Sequence, residues 1–250
     1  MPSYAVPALD KGLDILELLS AQNDGLSQAQ IAQSVGRTVG EIFRVLQTLE
    51  RRGFVVREPL SGLYTVSLMM FELAHRNPPL RGLVQAALTP MRRLSTATGQ
   101  TCNLSVLSGG HALVVAQVES PSPFGFQVRI GAEFPVEDTA TGVVLIAFAD
   151  EVTREIVLTE LDTAAPDSAR RLRADVEEAS AAGYVRQVGR LLVGIVDIVF
   201  PIRGTRGFPS AALTVPVVAT ADGGVDVERI QTLAGSVAAE ISRLIHPEHG

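Results

Sequence analysis

Residues 25–53 read GLSQAQIAQSVGRTVGEIFRVLQTLERRG. Ser27 stands three residues before Gln30, and Thr38 three before Glu41. Each pair has the spacing of a capping box, in which the hydroxyl accepts a first-turn amide and the longer side chain reaches back. The first box opens a short helix whose apolar side is Ile31, Ala32 and Val35. Gly36 ends it, as a residue that takes positive φ without strain. The second box opens a helix with Ile42, Val45, Leu46 and Leu49 in one stripe, and Gly53 stops it. Two capped helices joined by a Gly-containing turn predict a helix-turn-helix. Working outward, residues 8–21 carry Leu9, Leu13, Leu16 and Leu19 at helical spacing, which predicts a preceding helix. Residues 54–57 and 63–66 read as strands around the turn residues Pro59, Ser61 and Gly62, so a β-hairpin wing follows.

The chain has 250 residues, 46% of them hydrophobic, and a net charge of −6. That length supports two cores, and the composition is not that of a disordered chain. The longest apolar run, residues 142–149, is far shorter than the ~18 residues a membrane helix needs. No basic stretch followed by an apolar core opens the sequence, so the expectation is a cytoplasmic protein without membrane contact. A single cysteine, Cys102, excludes a disulfide framework and a cysteine-based zinc site. The acidity is concentrated late. Residues 101–250 hold eleven arginines against nineteen acids, whereas Arg37, Arg44, Arg51, Arg52 and Arg57 crowd the helix-turn-helix and wing. A local basic patch can bind a polyanion although the whole chain is acidic.

Beyond the wing, residues 67–75 and 80–98 are helical in pattern, separated by Pro78 and Pro79, and a domain boundary is expected near 76–80. The reading is a DNA-binding domain at 1–76, a linker helix at 77–98 and a second domain at 99–250. In the second domain strands are expected at 101–107, 112–118, 124–130, 183–188, 195–202 and 211–218, with a turn at 204–208. Helices are expected at 139–160, 167–182 and 225–244. Strands, then helices, then strands imply an α+β fold with helices packed on one sheet.

Arg44, one turn into the third helix, suits a phosphate or a guanine edge in a major groove; pairing with Glu41 or Glu50 is the alternative. Arg37 and Thr38 lie at the helix N-terminus, where amides and dipole favour a phosphate. Glu41 suits either cytosine N4 or the capping box. Val39, Gly40 and Gln47 complete the set near the base edges, and Arg57 on the wing faces backbone or minor groove. In the second domain the sequence Thr139-Ala140-Thr141-Gly142 opens a helix whose amides suit a ligand carboxylate or a simple cap. Asp197 falls among Ile195 and Ile198, so it must either bind a polar ligand group or pair with Arg190 or Arg203. Phe124 and Phe126 are expected in the core rather than at a pocket mouth. The histidines, 75, 111, 246 and 249, have no metal-ligand spacing, and no nucleophile elbow or phosphate-cradling loop is present. Cys102 on a strand reads as a small buried hydrophobe. No catalytic residue, metal or cofactor is implied.

Taken in order, the residues resemble the IclR family of bacterial transcriptional regulators. The likeness is carried by Gly25-Leu26-Ser27, Ile31-Ala32, Gly36, residues 44–50 (RVLQTLE), residues 52–55 (RGFV) and Tyr64. It continues through Gly99-Gln100-Thr101, Val118-Glu119-Ser120, Arg129-Ile130-Gly131, Phe134-Pro135, Gly183-Tyr184, Gly194 and Pro201-Ile202. The resemblance implies an N-terminal winged helix-turn-helix, a linker helix and a GAF-like effector domain. It implies a homodimer, or a dimer of dimers in the family's manner, on a double-stranded operator, answering to a small organic, acidic effector. It places Ala140, Thr141, Gly142, Asp197 and Thr214 at the effector. Where some members carry a late-strand cysteine, this chain has Asp197. The alternative is a small-molecule-binding module, or an enzyme, whose winged domain makes protein contacts.

Overall fold

The computed structural model describes residues 6–123, 125–189, 194–204, 211–218 and 226–245. The expectations for Phe124, Arg190, the 205–208 part of the turn, His246 and His249 fall outside these residues. The chain divides into two compact units between Asn77 and Pro78.

In the first unit, α1 (Pro7–Ser20), α2 (Gln28–Ser34) and α3 (Val39–Arg51) precede β1 (Val55–Arg57), β2 (Tyr64–Val66) and α4 (Met69–His75). Both capping boxes form. Gly36, at φ +64°, makes the turn between α2 and α3. β1 and β2 pair antiparallel with Val56 opposite Thr65, and Leu26 bridges to Tyr64. Ile15, Leu16, Leu19, Ile31, Ile42, Leu46, Val55 and Tyr64 form one core. The buried stripe of α1 therefore differs from the expected one. Ile15 is buried, while Leu9 and Leu13 are 58% and 49% exposed. Leu16 and Leu19 fix the inward face, and Ile15 rather than Leu13 lies beside them on the helix.

The second unit is three-layered. Among the described residues its sheet has six strands in the order β5-β4-β3-β8-β7-β6, every neighbour antiparallel. They are β3 (Cys102–Ser108), β4 (His111–Val118), β5 (Glu133–Pro135), β6 (Val185–Val188), β7 (Ile195–Ile202) and β8 (Ala211–Val218). One face carries α5 (Pro78–Thr98) and α9 (Val227–Leu244), packed on Cys102, Leu104, Val106, Leu213 and Val215. The helix expected as a linker is thus built into this core through Leu83, Ala87, Met91 and Leu94. The diproline sits in its first turn, where a missing amide costs no hydrogen bond. The other face carries α6 (Ala140–Ala147), with α7 (Glu151–Ala164) and α8 (Pro166–Ala182) beyond it.

Two expected elements differ. Residues 139–160 form two helices, because Asp150 caps a new one by accepting the Thr153 amide at 2.9 Å. Residues 125–130 are not a strand. The Val128 amide donates to the Gln117 side-chain oxygen at 2.8 Å, which takes it out of the ladder. A turn at Gly131 then brings Glu133–Pro135 against β4.

Lys11 Nζ lies 3.2 Å from Glu41 Oε1, and the Thr38 amide and hydroxyl both donate to Glu41 Oε2 at 2.9 Å. These bonds, chiefly those from Thr38, hold the Glu41 carboxyl down at about 2, against an ordinary 4.5. A carboxyl lowered by folding stabilises the fold above its unfolded value and loses that effect as pH falls through its folded value. We expect an acid titration to weaken the first unit progressively between about pH 4.5 and 2. Glu41→Gln should lose that part of the slope in circular-dichroism melts; an unchanged slope counts against the capping geometry.

Candidate DNA interface and ligand cavity

The buried side of α3 is Ile42 and Leu46, so its turn opposite the core presents Gly40, Arg44, Gln47 and Arg51, all exposed. With Glu41 held by Thr38 and Lys11, the alternative pairing of Arg44 with Glu41 is not made. Among the described residues neither Arg37 nor Arg44 forms an ion pair. Thr38 is the N-cap, its hydroxyl accepting the Glu41 amide at 3.3 Å. A β-carbon placed on Gly40 would meet nothing within 4 Å, so the helix surface is open there. Val39 is 47% exposed. Arg57 is folded back on the wing: its Nε lies 3.4 Å from the Gly62 carbonyl, and its guanidinium 5.5 Å from the centre of the Tyr64 ring. Sequence reading missed Phe43, which is 46% exposed beside Gly40 and Gln47. Its signal was an aromatic residue lying outside the apolar stripe.

In the second unit a cavity of about 360 Å³ opens on the sheet face that carries α6. Strand alternation sends Asn103 and Ser105 of β3, Thr214 and Pro216 of β8, and Ile195 and Asp197 of β7 to this face. Val114 of β4, Val128, Phe134, Thr139 and Thr141 complete most of the wall. Phe126, expected in the core, lines it too. Three of the five expected effector residues meet here: Thr141, Thr214 and Asp197. The Thr141 and Thr214 hydroxyls lie 2.8 Å apart as a hydrogen-bonded pair. Ala140 and Gly142 do not line the cavity. Ala140 packs among Ala112, Val144 and Val199. A β-carbon on Gly142 would fall 2.2 Å from the Val136 carbonyl oxygen, so glycine permits the close approach of α6 to that backbone. Its amide donates to Thr139 Oγ1 at 2.9 Å. The amides of Ala140 and Thr141 have no partner within the helix.

Burial raises the Asp197 carboxyl above its ordinary 3.8. Among the described residues nothing pairs with it. Of the two arginines weighed as partners, Arg203 lies over the Phe148 ring at 5.4 Å, and Arg190 is outside the described residues. Asn103 Oδ1 is buried and has no hydrogen-bond partner. Sequence reading missed Asn103 and Ser105, because alternating polar residues on a strand read as a solvent face. Both are buried, at 4% and 2% exposure. Cys102, on the opposite face of the same strand, is fully buried and pushed up to about 12 by burial, which leaves it an unreactive thiol. Among the described residues no cluster of metal-ligating side chains is present, and no helix is long and apolar enough to cross a membrane.

Residues 8–59 match the model of the IclR helix-turn-helix domain, and residues 80–243 match that of the bacterial transcriptional regulator IclR C-terminal domain. The chain belongs to the IclR family. It is 27% identical over 222 residues to the "Probable transcriptional regulator SauR" of Cupriavidus necator, spanning 87% of this chain and 88% of that one. It is 28% identical over 215 residues to the glycerol operon regulatory protein of Streptomyces coelicolor, spanning 83% of each. An IclR homologue from Microbacterium hydrocarbonoxydans, solved with 4-hydroxybenzoate, shares the fold at a TM-score of 0.76. That match has 23% identity and covers 96% of this chain and 99% of that one. This IclR-family chain is a transcriptional regulator with a helix-turn-helix for DNA and a C-terminal α/β domain. Its relatives are named as regulators and repressors, not enzymes, which removes the enzymatic alternative.

Gly142→Ala should cost about 1–3 kcal/mol in denaturant melts, since the backbone it meets cannot swing aside. A neutral result would contradict the packing of α6. For Asp197 the sign is the reverse of that for Glu41. A carboxyl raised by folding stabilises the fold while protonated and loses that effect as pH rises through the folded value. Asp197→Asn, which removes the buried charge, should therefore raise Tm at pH 7.5 and leave it nearly unchanged at pH 3.

Proposed function

We propose that this regulator binds a double-stranded operator through α3 and the wing, and that a small organic acid in the C-terminal cavity changes its hold on DNA. The observation that carries the reading is the outward face of α3, where Gly40, Arg44 and Gln47 stand clear of the core beside an unpaired Arg37. A helix of this kind fits a major groove, with arginines meeting phosphates and the side chains at 38–47 meeting base edges. Thr38 and Val39 lie at the end of α3 where first-turn amides favour a phosphate. Arg57 contributes from the wing, where its stacking on Tyr64 limits the freedom it would lose on binding. The protein acts in the cytoplasm as a homodimer or a dimer of dimers, so that two copies of α3 address successive grooves of a palindromic site.

The effector reading is supported by the cavity, by the first-turn amide of Thr141, and by the hydroxyls of Thr141 and Thr214. Gly142 sets the close approach that points α6 at the ligand, and Asp197 faces it from β7. The 4-hydroxybenzoate held by the Microbacterium relative is a molecule of comparable class. A route from cavity to helix exists within the second unit. Asn103 and Ser105 face the ligand, while Cys102 and Leu104 between them pack on α5. An effector that favours one arrangement of α5 shifts DNA affinity by its differential affinity for the two arrangements.

The test is a gel-shift titration of the full chain against the DNA upstream of its own gene, at several salt concentrations. Arg44→Ala should weaken binding and lower the slope of log affinity against log salt by about one. A variant that binds with wild-type slope removes α3 from the groove.

A further inference from the structure

We infer that Phe43, with Val39 one turn before it, reads thymine methyl groups in the major groove, so that each operator half-site carries A·T pairs where the start of α3 lies. This rests on the groove placement proposed above and goes beyond it by naming the base. Val39, Phe43 and Gln47 follow one another at four-residue spacing, so they stack in one column on the helix. Val39 and Phe43 are 47% and 46% exposed. Neither belongs to the core of the first unit, which takes Ile42 and Leu46 from α3. The opposite flank of α3 is the one packed on α1: Lys11 pairs with Glu41, and a β-carbon on Gly12 would lie 3.7 Å from Val45 Cγ1. The Val39–Phe43 flank is therefore clear of α1, and it runs into the face that presents Gly40 and Arg44.

An apolar side chain is a poor match for most of a major groove. Base edges there are hydrogen-bond donors and acceptors, and one covered by a phenyl ring loses water without gaining a partner. The thymine C5 methyl is the apolar exception, and phenylalanine is among the side chains that contact it. Exposed hydrophobics scattered singly need no explanation, but two stacked on the side of a helix that meets DNA do. Their place along α3 agrees. Val39 opens the helix and Phe43 follows within its second turn, and the N-terminal part of a recognition helix is the part that reaches base edges. The open surface at Gly40 leaves nothing to hold a base pair away from the ring. At about 1.5 Å per residue the two side chains are roughly 6 Å apart along the axis, which spans about two base-pair steps. Gln47, next in the column, suits the N6 and N7 edge of adenine, so the whole column matches A·T pairs. Glu50, the acid on the same side, comes roughly 10 Å further along the axis than Phe43.

The experiment uses the full-length chain and the DNA upstream of its own gene, prepared with deoxyuridine in place of a fraction of the thymidine. Uracil lacks only the methyl and keeps the pairing edge. Bound and free DNA are separated by gel shift at low salt, and cleavage at uracil maps the positions depleted from the bound pool. One or two thymines in each half-site should be depleted, and duplexes with uracil at one such position should bind about fourfold more weakly, the worth of one buried methyl. Phe43→Ala should bind the thymine and uracil duplexes equally, and Phe43→Leu, which keeps an apolar side chain, should retain part of the difference. Melting curves of the variants verify folding, and the wild-type map stands without them. A retained fragment with no uracil-sensitive position would overturn the inference and leave the groove placement intact. Sensitivity that persists at full size in Phe43→Ala would overturn the role given to that residue. A chain that retains no DNA at low salt would sink the groove placement with it.

Discussion

Everything in the second unit turns on the period-two alternation of one central strand. β3 is hydrogen-bonded on both sides, to β4 and to β8. Its odd residues Asn103 and Ser105 face the cavity, while Cys102, Leu104 and Val106 face α5 and α9. A slip of one residue would exchange these faces and put two polar side chains into the α5 core. The register is held by the bulge between Leu104 and Ser105 and by four residue pairs with β8. The same constraint sets the cavity face and the α5 face back to back on one backbone. Its α5 face is close-packed against Met91, whose carbonyl lies 3.5 Å from Cys102 Sγ.

The winged unit solves a different problem, namely how to leave one helical face uncommitted while fixing everything else. α3 buries few large side chains, and its position is completed by bonds at its N-terminus. Thr38 and Lys11 together occupy both oxygens of Glu41, tying α3 to α1. An acid at the first turn of a helix that approaches DNA would otherwise repel phosphate. Engaged with Lys11 and the cap, it is neutralised locally, and the dipole end of the helix remains available. The wing repeats the device on a smaller scale, since Arg57 is steadied by the Gly62 carbonyl and the Tyr64 ring before any phosphate is near.

What the sequence revealed follows from how local each signal is. Capping boxes span four residues, and both formed where Ser27–Gln30 and Thr38–Glu41 placed them. The wing needed only two short strands and a turn. Signals that depend on distant partners were less legible. Residues 125–130 alternate like a strand, yet whether they join the ladder was decided by the Gln117 side chain on β4. The break at Phe148–Asp150 hid inside a long apolar run, although Asp150 and Thr153 have cap spacing. The cavity was half legible. Thr141, Asp197 and Thr214 line one cavity, whereas Asn103 and Ser105 look like surface residues until both faces of their strand are known to be covered.

Asn103 and Asp197 also bear on why the cavity is not simply unfilled core. A cavity this size, lined by Val114, Val128, Phe126, Phe134 and Ile195, would be more stable closed by larger apolar side chains than left open over a carboxylate. Sequences that satisfy their local rules everywhere else and break them in one place mark that place as functional. Here the two departures, a buried amide oxygen without a partner and a part-buried acid, belong to side chains on one sheet face, two strands apart. An apolar side chain that filled this volume would leave the Asp197 carboxyl desolvated and unpaired among the described residues, so the space is set by more than its apolar wall.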